Sequence, residues 1–94
     1  MTPIGQQALC FASRAFDVSI PEIKGEAKSQ RYCKPRYAIA CVLRRRGWSL
    51  PRIGKLLGDR DHSTISNALR RADELTATSQ SFRWAVEAID RRVA

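Results

Sequence analysis

The apolar residues of this chain recur at intervals of three and four, and this periodicity restricts its fold more than any other feature. The first such stripe consists of Ile4, Ala8, Leu9, Ala12, Ala15 and Phe16. Residues spaced in this way share one face of a helix. No segment alternates apolar and polar residues between turn residues, as a half-buried strand does. The pattern therefore predicts an all-α fold.

Proline, glycine and polar segments divide the chain into about five or six predicted helices. The first spans about residues 4–16, and "DVSIPEIKG" interrupts the pattern after it. Residues 24–34 are polar, basic and weakly patterned, which indicates an exposed basic loop. Pro35 fits the start of the next helix because a proline in the first turn loses no hydrogen bond, and Gly47 fits its end. The polar stretch "TATSQS" is expected to connect the last two helices.

Two of the predicted helices are separated only by a short turn that contains glycine. Ser49 is placed to cap a short helix with Pro51 in its first turn, and Gly58 is placed to end it. A longer helix begins near Asp61 or His62, and its inward stripe consists of Ile65, Ala68, Leu69, Ala72 and Leu75. Over about residues 49–75 this arrangement predicts a helix-turn-helix within a compact bundle. We expect residues 1–94 to form a single domain, since this length supports one modest core.

Positive charge is concentrated in the middle of the chain. The net charge is +8 and the isoelectric point about 10.3. Eleven basic and only two acidic residues lie between Lys24 and Arg60, whereas the remaining residues are close to neutral. A solvated helix face can also carry a run of charge, but this degree of segregation favours a surface that binds a polyanion. No apolar run approaches the roughly 18 residues of a membrane-spanning helix, so we expect no membrane association.

The stretch "GDRDHSTI", residues 58–65, contains side chains that occur in catalytic and metal sites. His62 and Ser63 are neighbours on a helix, where side chains point about 100° apart, so they are not placed to act as base and nucleophile. Asp59, Asp61 and His62 lack the spacing of a zinc or calcium site. The three cysteines have no CxxC spacing, and no phosphate-binding GxxxxGK[ST] occurs. We therefore expect no enzymatic activity, metal, cofactor or bound nucleotide.

The outer face of the predicted helix after Gly58 suits the major groove of DNA. If Ile65 points inward, then Ser63, Asn67 and Arg70 point outward. Short hydroxyl and amide side chains let a helix lie close to base edges, and arginine reaches guanine or the backbone. Asp61 fits the N-cap of this helix.

The segment "SLPRIGKLLGDRDHSTISNA" resembles the signature of the C-terminal, duplex-DNA-binding domain of bacterial replication initiators of the DnaA family. The similarity extends back through "KPRYAIACVL" and "VSIPEIKGEAKSQR", so that it spans about residues 7–82. The resemblance implies an all-helical, Trp-repressor-like fold that binds a short asymmetric DNA box as a monomer. In this family the recognition helix enters the major groove and a basic loop enters the adjacent minor groove.

The resemblance also implies roles for particular residues. Base contacts would come from Asp61, His62 and Ser63, with Lys34 in the minor groove, and the outer helix face adds Asn67. Contacts to the DNA backbone would come from Arg36, Ser49, Leu50, Pro51, Lys55, Arg60 and Thr64, to which the outer helix face adds Arg70. Asp59, Ser63, Lys34 and Asn67 differ from the residues usual in the family, which leaves the preferred DNA box open.

Together these observations predict a sequence-specific double-stranded-DNA-binding protein that is cytoplasmic and associated with the nucleoid. Its role would be transcriptional regulation or replication control at a DnaA-box-like site. Because no ATPase segment follows Met1, we expect a small freestanding protein. The alternative is an adaptor that binds an acidic protein partner, with Trp48 or Trp84 on its surface. An RNA-binding role is the weaker third possibility, since no exposed set of stacking aromatic residues is apparent.

Overall fold

The computed structural model describes residues 2–94, which form six helices and, within that range, no strand. The helices are α1 (Ile4–Phe16), α2 (Ile20–Lys24), α3 (Gln30–Arg45), α4 (Leu50–Leu56), α5 (His62–Thr78) and α6 (Gln80–Arg92). The predicted all-α fold is confirmed, as are the predicted bounds of the first helix. No helix within residues 2–94 is long and apolar enough to cross a membrane.

Helix α3 is the centre of the bundle and packs against all five other helices. Six consecutive residues, 38–43, are buried, so this helix is apolar on every side in its middle. A helix with this pattern is stable only when other helices surround it. Leu9, Ile53, Ile65 and Ile89 come from four different helices and complete the core around it.

Two predicted loops are shorter in the structure than the sequence indicated. Residues 30–34 belong to α3, because Ser29 takes the N-cap position and its carbonyl accepts the N–H groups of Tyr32 and Cys33 at 3.0 Å. Pro35 therefore lies within the helix and does not begin it. The predicted connector "TATSQS" is reduced to Ser79, whose hydroxyl accepts the N–H of Phe82 and caps α6. Its threonines are helical, and their hydroxyls donate to carbonyls one turn earlier.

The short helix α2 is not apparent in the apolar pattern of the sequence. Ser19 and Glu22 form a capping box, in which each side chain accepts the backbone N–H of the other residue. This reciprocal capping satisfies two N–H groups that a helix start leaves without partners. A helix of only five residues can form here because its cap and the buried Ile23 hold it against the core.

Candidate nucleic-acid interface

The turn between α4 and α5 is built from backbone contacts that require particular residues. The Arg60 N–H donates to the carbonyl of Gly54 at 2.9 Å, and a side chain on Gly54 would overlap the Arg60 carbonyl. Gly58 and Asp59 both have left-handed backbone, with φ of 93° and 61°. Glycine adopts this conformation freely, and aspartate tolerates it better than most residues. The predicted short, glycine-containing turn after α4 is thus confirmed.

Asp61 caps α5, as its position before the apolar stripe predicted. Its Oδ1 accepts the Thr64 N–H at 2.9 Å and the Ser63 hydroxyl at 2.8 Å. These two donors, the backbone N–H first, hold the pKa of Asp61 below its ordinary value. The cap therefore stabilises α5 at neutral pH and is lost as the pH falls through that lowered pKa. A carboxylate has capacity for further hydrogen bonds, so Asp61 can cap the helix and still accept a base amino group.

The first turns of α5 present a continuous polar surface. The inward positions Ile65, Ala68 and Ala72 are buried, as their helical spacing in the sequence predicted. The exposed residues on the other faces are His62, Ser63, Thr64, Ser66, Asn67, Arg70 and Arg71. The Arg70 guanidinium donates to Asn67 Oδ1 at 2.6 Å, which orients the Asn67 amide and aligns Arg70 along the helix. This surface offers hydroxyl, amide, imidazole and guanidinium groups on one projecting helix end.

A cleft of about 700 Å³ separates the start of α5 from the loop of residues 25–29, here called the α2–α3 loop. Lys24 at the end of α2 lines it together with Glu26 and Lys28 of the loop, and Thr64 and Asn67 line it from α5. Lys24 and Lys28 thus lie across the cleft from α5. Only the charge of the whole 24–60 segment pointed to them in the sequence, because their position depends on how the loop folds back.

Arg36 does not belong to the exposed surface, so its predicted contact with the DNA backbone is wrong. The residue is only 5% exposed. Its guanidinium donates to the carbonyls of Glu22, Ile23, Gly25 and Ala27 at distances between 2.7 and 3.1 Å. Arginine suits this position because its donors are fixed in a planar fork that reaches several acceptors at once. Arg36 therefore holds the α2–α3 loop in place from inside the protein.

Lys34 occupies a different side of α3 from the cleft. It is half-buried and lies in a groove beside Phe16, Ser79 and Ser81. Lys34 therefore does not line the cleft beside α5.

The residues of α4 that were predicted to contact the DNA backbone lie at the start of that helix and along its exposed side. Ser49 caps α4 by accepting the N–H of Arg52, and Pro51 follows in the first turn, as predicted. Ser49, Pro51 and Lys55 are exposed, whereas Leu50 packs partly against the core. For Leu50, only the backbone N–H at the helix start suits a phosphate contact.

Comparison with known proteins agrees with this arrangement of α4, turn and α5. A family model described as the bacterial DnaA protein helix-turn-helix matches residues 9–72, about two thirds of the chain. The chain belongs to this DnaA helix-turn-helix family. The match includes α2, α3, α4 and the exposed first half of α5, and therefore every residue that lines the cleft.

Several chromosomal replication initiator proteins named DnaA are similar to this chain. Those of Acholeplasma laidlawii and Picosynechococcus are each 30% identical, over 80 and 86 residues, and cover 83% and 90% of the chain. That of Streptococcus pyogenes is 32% identical over 80 residues. The chain spans less than a fifth of the length of these relatives, 18–19% in each case. The similarity is thus confined to one DnaA domain.

Proposed function

We propose that this protein binds duplex DNA in a sequence-specific manner at a DnaA-box-like site. Membership of the DnaA helix-turn-helix family supports DNA binding, and the exposed polar end of α5 is the observation that carries sequence specificity. Such a helix end fits the major groove, where each base pair presents a distinct set of donors and acceptors. The protein acts as a binding module and not as an enzyme, in the cytoplasm and on the nucleoid. Its role is in transcriptional regulation or in replication control.

Four residues of α5 and its cap are proposed to read base edges. Asp61 and Ser63 share a hydrogen bond, so they act together, and His62 between them in the sequence is exposed. Asn67 lies one turn further along the same exposed side. Thr64, Arg70 and Lys55 are proposed to contact phosphates, together with the start of α4 at Ser49, Leu50 and Pro51. Phosphate contacts supply most of the affinity, while base contacts discriminate between sequences.

Selection of duplexes from a random library is the direct test of this function. We expect enrichment of one short asymmetric motif, bound with strong dependence on salt concentration. Enrichment of no motif would contradict sequence-specific recognition. Binding that is insensitive to salt would contradict the proposed phosphate contacts. A chain that binds no DNA but retains an acidic protein would favour the adaptor alternative, for which Trp84, 60% exposed on α6, is the available aromatic residue.

His62→Ala is expected to weaken binding to the selected motif by about 1–3 kcal/mol, with little change on random duplexes, because only base contacts are lost. Lys55→Ala is the matched comparison. It is expected to weaken binding to both kinds of DNA and to reduce the slope of log K against log salt by about one. Titrations at several salt concentrations measure both effects. An equal loss on motif and random DNA for His62→Ala would remove His62 from the base-reading set.

The loop-side contact is proposed to involve Lys28 and Lys34, and their positions predict different effects. Lys28 faces the start of α5 across the cleft, whereas Lys34 lies near the junction of α5 and α6. We expect Lys28→Ala to weaken binding to the selected motif more than Lys34→Ala does. Competition binding of the two variants against the same labelled duplex measures this difference. The reverse order would restore Lys34 as the main minor-groove contact.

A further inference from the structure

Arg60 connects the helix-turn-helix to the α2–α3 loop from the middle of the turn. Its guanidinium donates to the carbonyls of Lys24 and Gly25 on the loop side and to the carbonyl of Leu57 at the end of α4. Its own backbone N–H is bonded to Gly54. One residue therefore joins the end of α2, the end of α4 and the cap of α5.

Two further contacts strengthen the same junction. Gly58 lies so close to the end of α2 that a side chain there would overlap the Lys24 carbonyl, so the turn meets the residue before the loop backbone to backbone. The carbonyl of Gly25 accepts from both Arg60 and the buried Arg36. The loop is thus fixed from inside by Arg36 and from the turn by Arg60.

We propose that Arg60 is a positioning residue that sets the separation between the α2–α3 loop and α5, the proposed recognition helix. On the proposed function, these two parts contact adjacent grooves of the same duplex. Contacts in two grooves are simultaneous only when their spacing matches the spacing of the grooves, and a rigid link removes the cost of ordering that spacing on binding. Arg60 therefore acts on recognition through the protein carbonyls that it holds, and it makes no contact with phosphate. This assignment replaces the phosphate contact that the family resemblance implied for Arg60.

The test compares Arg60→Met, Arg60→Lys and the unchanged protein on three duplexes: the selected motif, the motif altered at the loop-contacted end and the motif altered at the end read by α5. For Arg60→Met we expect discrimination at the loop-contacted end to fall by about tenfold. Discrimination at the α5 end and the salt slope should be nearly unchanged, and helicity should be retained. Arg60→Lys should recover part of the loss, because an ammonium group can still donate to one side of the junction. Arg91→Met, an exposed change on α6, should alter none of these values.

Amide hydrogen exchange of the DNA-free protein adds an independent readout. Arg60→Met should increase exchange in residues 25–29 more than in α3 or α6. A salt slope reduced by about one, with uniform loss on all duplexes, would identify Arg60 as a phosphate contact and overturn the proposal. Equal loss of discrimination at both ends of the motif, or no loss at either end, would also overturn it. If the unchanged protein selects no motif, the proposed function itself fails, and the positioning role fails with it.

Discussion

Replacing Arg36 with methionine is expected to lower the free energy of unfolding by about 3–5 kcal/mol. Methionine fills much of the same space, so the change removes donors more than volume. The carbonyls of Glu22, Ile23, Gly25 and Ala27 would each lose a charged donor. Hydrogen bonds to charged groups contribute roughly 1.5–3 kcal/mol each, and the arginine's own desolvation offsets part of their sum. The loss is large against the 5–15 kcal/mol of an ordinary domain.

Urea unfolding followed by circular dichroism measures this effect, with Arg45→Met as the control. Arg45 lies on the same helix but is exposed, so its replacement should change stability by no more than about 0.5 kcal/mol. Arg36→Lys should fall between the two, because one ammonium group cannot reach acceptors that are spread around a planar fork. An Arg36→Met variant as stable as Arg45→Met would show that water satisfies these carbonyls and that Arg36 does not hold the loop.

Local sequence signals predicted the part of the site that depends on neighbouring residues. Ser49 and Asp61 were recognisable as caps, and Gly58 as the end of α4, because each role is determined within one helical turn. The inward stripe of α5 was equally clear from its spacing. These features fixed which side of α5 is exposed, whereas the base-reading roles of Asp61, His62 and Ser63 came from the family resemblance.

The surroundings of Arg36 and Lys34 depend on contacts distant in sequence. Arg36 looked like one of eleven cations in a basic segment, and only the folded loop shows that four carbonyls surround it. Lys34 was assigned to the minor groove by the family resemblance and was expected to lie in the basic loop, because α3 was expected to begin at Pro35. The helix begins five residues earlier, at Gln30, and this turns Lys34 toward Ser79. Sequence pattern identifies residue types and periodicity, but it does not show which carbonyls a long cationic side chain will reach.

Gly54→Ala is expected to destabilise the protein by about 2–3 kcal/mol, although helix propensity alone predicts the opposite sign. Alanine is favoured over glycine by about 1 kcal/mol in a helix interior, and Gly54 lies within α4. A Cβ at this position, however, would overlap the Arg60 carbonyl, which belongs to the backbone and cannot rotate away. Relieving that overlap requires the turn to move and stretches the 2.9 Å bond from the Arg60 N–H to the Gly54 carbonyl. Overpacking of this kind typically costs about 1–3 kcal/mol or more.

Gly5→Ala is the matched control, because Gly5 is also helical but its added Cβ would meet the side chains of Trp48 and Leu56, which can shift. We therefore expect Gly54→Ala to unfold at a clearly lower urea concentration than Gly5→Ala. Because the displaced turn carries the cap of α5, Gly54→Ala should also lose affinity for the selected motif more than for random duplexes. A Gly54→Ala protein that is more stable than the unchanged chain would mean that α4 and α5 can separate without cost. In that case the turn would not fix the orientation of α5.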